Sequence, residues 1–293
     1  MKMSLTSFSR TIINIAIVLI STITIAQETN KSLLWKISGN GLEQPSYIFG
    51  TIHITCDATL DKTVKTALDN TSLLVLEIDM DHPELQSKMM QEMYMKNGKT
   101  IKDFVSKEDY QLLSSFIKTQ TGMPLEVLGN IKPFFLSAML YPKLLQCPIQ
   151  SFENKLMAVT KEQNENVEGL ETIEQQMKLF DDIPYKDQIE ELLKSAKDSM
   201  AKDKANITEM MNLYENKDLE GLHNLLLKDN STLTYKYQDQ MLNERNKSWI
   251  SKISSYSKAQ PTFFGVGAGH LSGENGVISL LRKQGYLVEA VLP

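Results

Sequence analysis

The sequence predicts an α+β fold with a mixed central β-sheet, built from the N- and C-terminal parts of the chain, and a large helical insertion that covers a cleft. Three observations lead to this prediction. Short β-branched and aromatic runs typical of strands lie near both ends, at 46–49 and 261–266. Both runs continue into the same Gly-x-x-His pattern. Between them, residues 84–257 show mostly the apolar spacing of helices.

Residues 1–26 have the pattern of a secretory signal peptide. Lys2 and Arg10 give a positive start, an apolar stretch follows, and small residues end at Ala26. A retained membrane anchor is the alternative, but the apolar run is short for a spanning helix, which needs about 20 residues. We therefore expect cleavage after Ala26, no membrane span in the mature domain 27–293, and a periplasmic or extracellular protein.

Composition and charge limit the classes of partner. The 293 residues are enough for a large core, and 42% of them are hydrophobic. The formal net charge is −5, and it becomes −7 without residues 1–26, which carry two basic and no acidic residues. Because nucleic-acid binding depends on neutralising phosphates, we expect no nucleic-acid partner. The sequence predicts no particular oligomeric state.

The first predicted elements form a hairpin that leads to His53. Residues 33–37 and 46–49 are predicted strands, and Gly39-Asn40-Gly41 supplies turn residues between them. Apolar residues at helical spacing then predict a helix over 57–70.

A buried carboxylate follows. The nearly continuous apolar run 72–78 predicts a buried strand, and Glu77 lies near its end. A carboxylate in this position is costly unless it is paired or bound to a cation. Glu77 is therefore a candidate metal ligand, with a capping or salt-bridge role as the alternative.

The middle of the chain contains two further candidate site residues. Residues 166–169 predict a short strand, and Glu171 lies at its exit, as Glu77 does for the preceding strand. From its position alone, Glu171 can cap the helix that follows. Arg245 lies in a later helical segment, where its forked donors can bind a substrate carboxylate, stabilise an oxyanion or pair with a nearby glutamate.

The C-terminal part of the chain is again predicted to contain a strand. After His270, residues 277–283 predict a helix and 286–292 a closing strand. One sheet formed from both ends would bring His53 and His270 together, although 217 positions separate them.

The two Gly-x-x-His segments suggest a metal site. A glycine at the end of a strand lets the chain turn sharply and places the following side chain at the rim of the sheet. Two imidazoles, His53 and His270, with the carboxylate of Glu77 would hold a divalent cation and leave one position open for water. The alternative is two hydrogen-bonded histidines that happen to follow strands.

Cys56 and Cys147 are the only cysteines. In an exported protein they can form a disulfide, which would tie the loop after His53 to the helical middle. Two independent buried thiols are the alternative.

With these motifs the chain resembles the TraB/GumN family, which includes the Tiki membrane-associated metalloproteases. The resemblance extends over nearly the whole exported chain, and the family's segments occur in its order. These segments are 34–37 with 45–53, 74–77, 167–172 with 174–175, 243–246 and 266–271.

The resemblance implies an exported metal-dependent hydrolase whose substrate is a peptide or protein. The resemblance also implies that Glu171 lies at the site, as a ligand, a base or an orienting group. On this hypothesis His53, Glu77 and His270 bind the metal, Glu171 manages protons and Arg245 stabilises developing charge. Manganese or cobalt is favoured by the resemblance, and zinc is possible.

Two other functions stay open. In a metal-free ester or amide hydrolase, His53 or His270 would be the general base. In a non-catalytic peptide- or signal-binding protein, the same residues would order a bound peptide.

Overall fold

The computed structural model describes residues 31–292, which form a six-stranded mixed β-sheet surrounded by helices. Across the sheet the strand order is β4-β3-β5-β2-β1-β6. The strands are β1 (Leu34–Ser38), β2 (Ser46–Thr51), β3 (Leu73–Ile78), β4 (Asn166–Glu171), β5 (Phe263–Gly267) and β6 (Leu287–Ala290). A mixed sheet built from both ends of the domain confirms the predicted fold class. The predicted signal peptide lies outside the described residues.

Four neighbouring strands run in one direction. β4 pairs with β3, β3 with β5, and β5 with β2, all in parallel. β1 is antiparallel to both β2 and β6. The carboxyl ends of β2, β3, β4 and β5 therefore lie at the same edge of the sheet, which is where ligands bind in open α/β sheets.

The central strands are buried because their sequences are continuous apolar runs. Leu74 and Val75 of β3, and Phe263 and Phe264 of β5, are all fully buried. Helices surround the sheet, and Trp249 from one of them belongs to the same apolar core.

The helices fill the connections between strands. They are α1 (Lys62–Asp69), α2 (Leu85–Glu92), α3 (Lys107–Thr121), α4 (Leu125–Leu128), α5 (Pro133–Ala138), α6 (Tyr141–Leu145), α7 (Phe152–Glu162), α8 (Ile173–Asp182), α9 (Tyr185–Lys197), α10 (Ala201–Glu215), α11 (Leu219–Leu227), α12 (Leu233–Lys236), α13 (Glu244–Ala259) and α14 (Val277–Lys283). Helices α2 to α7 lie between β3 and β4, and α8 to α13 lie between β4 and β5. Within residues 31–292, no helix has the length and apolarity needed to cross a membrane.

Three predicted boundaries differ from the structure. The helix predicted over 57–70 begins only at Lys62, because Asp61 is its N-cap and accepts a hydrogen bond from the Val64 N–H at 2.9 Å. The strand predicted over 166–169 extends to Glu171, which is its last residue. The closing strand is confined to Leu287–Ala290.

Much of the helical part has an apolar core of its own. Helices α3, α4, α5 and α9 contribute to it, with Leu113, Ile117, Leu125, Leu136 and Leu192 fully buried. These helices therefore pack against one another and form an apolar core separate from that of the sheet.

The structure pairs Cys56 with Cys147 in a disulfide, with their Cα atoms 5.6 Å apart. Beside the disulfide, Thr55 and Gln150 exchange backbone hydrogen bonds of 3.0 and 2.8 Å. The segment that follows His53 is thus tied to the segment that leads into α7.

Removing this disulfide should destabilise the protein substantially. For Cys56→Ser/Cys147→Ser we expect the free energy of unfolding to fall by about 2–4 kcal/mol, because the bond restricts the unfolded chain across a sequence separation of 91. Urea denaturation of the variant and of the wild type, with and without a reductant, measures this effect. The reductant should lower the stability of the wild type alone. A loss below about 1 kcal/mol would show that the bond contributes little.

Candidate active site

Five side chains singled out in the sequence come together at the carboxyl edge of the parallel strands. Two belong to strands, two follow strands in the Gly-x-x-His segments, and one comes from the first turn of α13. They are Glu77 of β3, Glu171 of β4, His53 after β2, His270 after β5 and Arg245. The parallel direction of β2 to β5 explains their convergence, since each strand delivers its residue to the same edge.

Arg245 lies between the two strand carboxylates. Its Nη2 donates to Glu77 Oε2 at 2.5 Å and to Glu171 Oε1 at 2.6 Å. Its Nε lies 3.2 Å from both carboxylate oxygens of Glu171. The three side chains are only 15%, 9% and 8% exposed, so their charges depend on one another rather than on water. Of the roles left open by the sequence, the structure shows the pairing with glutamate.

The start of α13 fixes the guanidinium further. A π-helical turn, Asp239–Asn243, precedes the helix, and such turns are rare and frequent at functional sites. The carbonyl of Met241 in this turn accepts a hydrogen bond from Arg245 Nη1 at 3.1 Å. One turn further along, the Trp249 ring lies 4.8 Å from the guanidinium, and its Nε1 donates to Glu171 Oε2 at 3.4 Å.

His270 is buried and neutral at pH 7. Its Nε2 accepts a hydrogen bond from Arg245 Nη1 at 3.1 Å, and its Nδ1 lies 2.6 Å from Asn246 Oδ1. Because arginine can only donate, the proton of the ring is on Nδ1. Burial lowers the pKa of His270 to about 3, despite the neighbouring carboxylate of Glu77. The imidazole is therefore in the form that binds a metal ion.

His53 is in the opposite state. Its side chain is 65% exposed, and its Nδ1 lies 2.8 Å from Oε1 of Glu153 in α7. The hydrogen bond to Glu153 raises the pKa of His53 to about 9. The ring is an imidazolium at neutral pH when no cation is bound.

Glu77 is an ionised carboxylate in a buried place. The Gly267 N–H donates to its Oε1 at 2.8 Å, and Gln176 Nε2 donates to its Oε2 at 3.3 Å. Burial alone raises the pKa of this carboxyl. The charges of His270 when protonated, of Arg245 and of His53 outweigh burial and lower the pKa to about 2.

Gly267 marks the point where the candidate ligands converge. A Cβ atom at this position would lie 3.2 Å from Glu77 Oε1, 3.6 Å from His270 Cδ2 and 3.8 Å from His53 Nε2. The space above this glycine is therefore lined by one carboxylate and both imidazoles. Only a residue without a side chain leaves this space open.

The donor types and charges suit a divalent cation. Imidazole nitrogen and carboxylate oxygen bind manganese, cobalt and zinc. Three carboxylates, those of Glu77, Glu153 and Glu171, face the single permanent cation of Arg245 in this network. The network therefore carries one excess negative charge while His53 is protonated, and two once His53 has lost its proton.

The present side-chain arrangement is not a coordination shell. Among residues 31–292, no group of three or more His, Cys, Asp or Glu side chains is placed to hold a metal ion. Arg245 Nη1 engages the lone pair of His270 Nε2, which a metal ion would need. The residues thus fit a cation by type and charge, and Arg245 competes with it for one donor.

Two residues that hydrogen-bond the imidazole rings of His53 and His270 were not singled out in the sequence. They are Glu153 and Asn246. Glu153 lies in the first turn of α7, where an acidic residue is usual because it complements the helix dipole, so it gave no separate signal. Asn246 lies inside a segment already used for the resemblance, directly after Arg245. The other histidines lie elsewhere: His82 is exposed, and His223 packs against Gly273.

The chain is similar to proteins of known class. The model of the TraB/PrgY/gumN family matches residues 33–290. Identity is 22% with "Metalloprotease TIKI2" of Danio rerio, across 92% of this chain and 62% of that protein. It is 22% with "Metalloprotease TIKI homolog" of Amphimedon queenslandica, across 89% and 61%, and 21% with "Metalloprotease TIKI1" of Danio rerio, across 90% and 64%. The chain thus spans less than two thirds of these relatives. No solved structure matches it significantly.

Proposed function

This chain belongs to the TraB/PrgY/gumN family, and we propose on this basis that it is a metal-dependent hydrolase whose substrates are peptides or proteins. The observation that carries the proposal is the convergence of His53, His270 and Glu77 around the open space above Gly267. The names of the curated relatives, all metalloproteases, agree with it. The excess negative charge of the network also supports a divalent ion.

In this proposal His53, His270 and Glu77 hold the ion. The family resemblance favours manganese or cobalt, and the nitrogen and oxygen donors also suit zinc. The ion would supply an activated water and polarise the carbonyl of the scissile bond. For this, His53 must lose a proton, and His270 Nε2 must be released by Arg245 Nη1.

Glu171 and Arg245 have the remaining roles. Glu171 accepts a proton from the attacking water, and Arg245 stabilises negative charge that develops on the substrate oxygen. When Arg245 Nη1 leaves His270, its Nε and Nη2 can stay on Glu171, so the guanidinium remains oriented. Low exposure keeps these charges out of bulk water and strengthens their effect.

One observation favours a second candidate, a metal-free ester or amide hydrolase. His53 and Glu153 form a complete hydrogen-bonded pair, and Arg245 satisfies His270, without any added cation. In this candidate His53 is the general acid and base, and Arg245 is the charged group that binds the substrate oxygen.

Metal binding and turnover separate these functions. After incubation with Mn²⁺ or Co²⁺ and dialysis, we expect about one equivalent of metal in the wild type and none in His53→Ala/His270→Ala, since both imidazoles are ligands. His82→Ala, which removes an exposed histidine outside the cluster, is the matched control and should retain the metal. Elemental analysis gives the stoichiometry, and a fluorogenic peptide library gives the activity.

Other results of these experiments would favour a different function or a different metal site. Peptide hydrolysis that survives a chelator would favour the metal-free hydrolase. Peptide binding without turnover would favour the signal- or peptide-binding protein considered from the sequence. Equal metal content in the double variant and the wild type would place the metal outside this cluster.

We also propose that the protein acts outside the cytoplasm, in the periplasm or the extracellular space. The Cys56–Cys147 disulfide supports this location, because such bonds persist mainly in oxidising compartments.

A further inference from the structure

Both histidines of the cluster are held in the same way. His53 Nδ1 meets Glu153 of α7 at 2.8 Å, and His270 Nδ1 meets Asn246 of α13 at 2.6 Å. In both cases the partner is an oxygen acceptor from a helix, and the contact is made through Nδ1. His53 Nε2 lies by the space above Gly267, and His270 Nε2 lies 3.7 Å from Glu77 Oε1.

Each holding residue is itself fixed by a second hydrogen bond. Glu153 is 6% exposed, and its other oxygen accepts a hydrogen bond from Ser151 Oγ at 2.6 Å. Asn246 is 2% exposed, and its Nδ2 donates to the carbonyl of Asn275 at 2.9 Å. This second bond turns the amide so that its oxygen faces the ring. Neither side chain can rotate away without leaving a buried polar group unpaired.

We propose that Glu153 and Asn246 are positioning residues that hold each ring through its Nδ1 and so direct both Nε2 atoms towards the candidate metal site. This inference rests on the proposed function, and it adds the groups that orient the ligands. Outer partners of this kind fix the tautomer and orientation of a metal-binding histidine and raise its basicity.

Glu153 and Asn246, which hydrogen-bond the two rings, differ in charge for a physical reason. His53 is largely exposed, so an ion pair with Glu153 can form beside water. His270 is buried next to Arg245 and two carboxylates, and a third carboxylate there would add repulsion and a large desolvation cost. The neutral amide of Asn246 orients His270 without adding charge.

Further contacts fix the position of Glu153 relative to His53. Gln150, just before Ser151, pairs with Thr55 through two backbone hydrogen bonds, and the Cys56–Cys147 disulfide lies next to this pair. The short segments that carry His53 and Glu153 are therefore linked covalently near both residues. Their separation does not depend on the hydrogen bond alone.

Metal affinity of the folded protein tests the inference. Titration with Co²⁺ or Mn²⁺ should show an affinity about 10–100-fold lower in Glu153→Gln than in the wild type. Glu162→Gln, which removes an exposed carboxylate from the same helix, is the matched control and should bind like the wild type. Asn246→Ala should lose affinity similarly.

A second readout does not need metal. Nitrogen-15 labelling of the four histidines should show His270 protonated on Nδ1 and bare on Nε2, and Asn246→Ala should shift the Nδ1 resonance of His270, because the hydrogen-bond acceptor of this nitrogen is lost. A purely structural role of Asn246 would change stability and leave this resonance unaffected. The Glu153→Gln substitution should likewise shift the Nδ1 resonance of His53.

The outcomes separate this inference from the proposed function. In one outcome, the wild type, Glu153→Gln and Asn246→Ala all bind metal with the same affinity. In that case the positioning role of Glu153 and Asn246 is wrong, and the proposed metal site is retained. If the wild type binds no metal, the proposed function fails, and the tautomer of His270 still tests the inference. An Nε2-protonated His270 in the wild type would overturn it.

Discussion

Arg245→Met will lower the free energy of unfolding by about 3–5 kcal/mol. The substitution keeps most of the length of the side chain and removes the charge that Glu77 and Glu171 share. Both carboxylates are less than 10% exposed, so they would be left as buried charges without their partner. Urea denaturation followed by circular dichroism measures the loss.

Two further variants show whether charge is the cause. Lys178→Met breaks an exposed ion pair with Asp182, and it should cost at most about 1 kcal/mol. Glu171→Gln should reduce the cost of Arg245→Met, because one of the two stranded charges is then absent. If Arg245→Met costs no more than Lys178→Met, the buried network does not have the energetic role described above.

Gly267→Ala will remove metal binding and peptide hydrolysis while the protein stays folded. The backbone of Gly267, with φ −52° and ψ 134°, is accessible to alanine, so the change causes little strain. The added methyl group would fill the space between Glu77, His270 and His53. We expect catalytic efficiency to fall by about 100-fold or more, because a misplacement of about 1 Å at a reacting centre has this effect.

The matched control is Gly269→Ala, two residues further along the same segment. A Cβ atom at Gly269 would meet only the flexible end of Leu226, at 3.1 Å. This variant should retain metal and most activity. Both variants should have near-wild-type circular dichroism, and peptide hydrolysis with added Mn²⁺ or Co²⁺ gives the activity. Wild-type turnover in Gly267→Ala would show that the space above this glycine is not the reaction site.

The sheet could be predicted because its signals are local. The short apolar runs of β2, β3 and β5 favour strands, and the glycine at the end of two of them marks the turn to each histidine. Glu77 stood out because a charge is rare in such a run. A single sheet formed from both ends of the chain was then expected to bring His53 and His270 together, and the parallel direction of β2 to β5 is known only from the structure.

The partners of these residues could not be predicted, because they depend on distances set by tertiary packing. Glu153 is 100 positions from His53, and its place in the first turn of a helix has an ordinary explanation. For Arg245 the sequence offered a substrate, an oxyanion or a glutamate as partner. Only the packing of α13 against β4 brings Glu171 within 2.6 Å and selects the glutamate. The start of α1 was misplaced as well, because the helix was predicted from residue 57 and its N-cap is Asp61.

The position of β5 has a consequence for folding. This strand comes near the end of the chain, and yet it lies between β2 and β3. Until Phe263–Gly267 has taken its place in the sheet, β2 and β3 each have an unpaired apolar edge. Such edges are prone to associate with other chains, and pairings so distant in sequence form slowly. We therefore expect the unfolded protein to need protection from aggregation, and the candidate active site to assemble last.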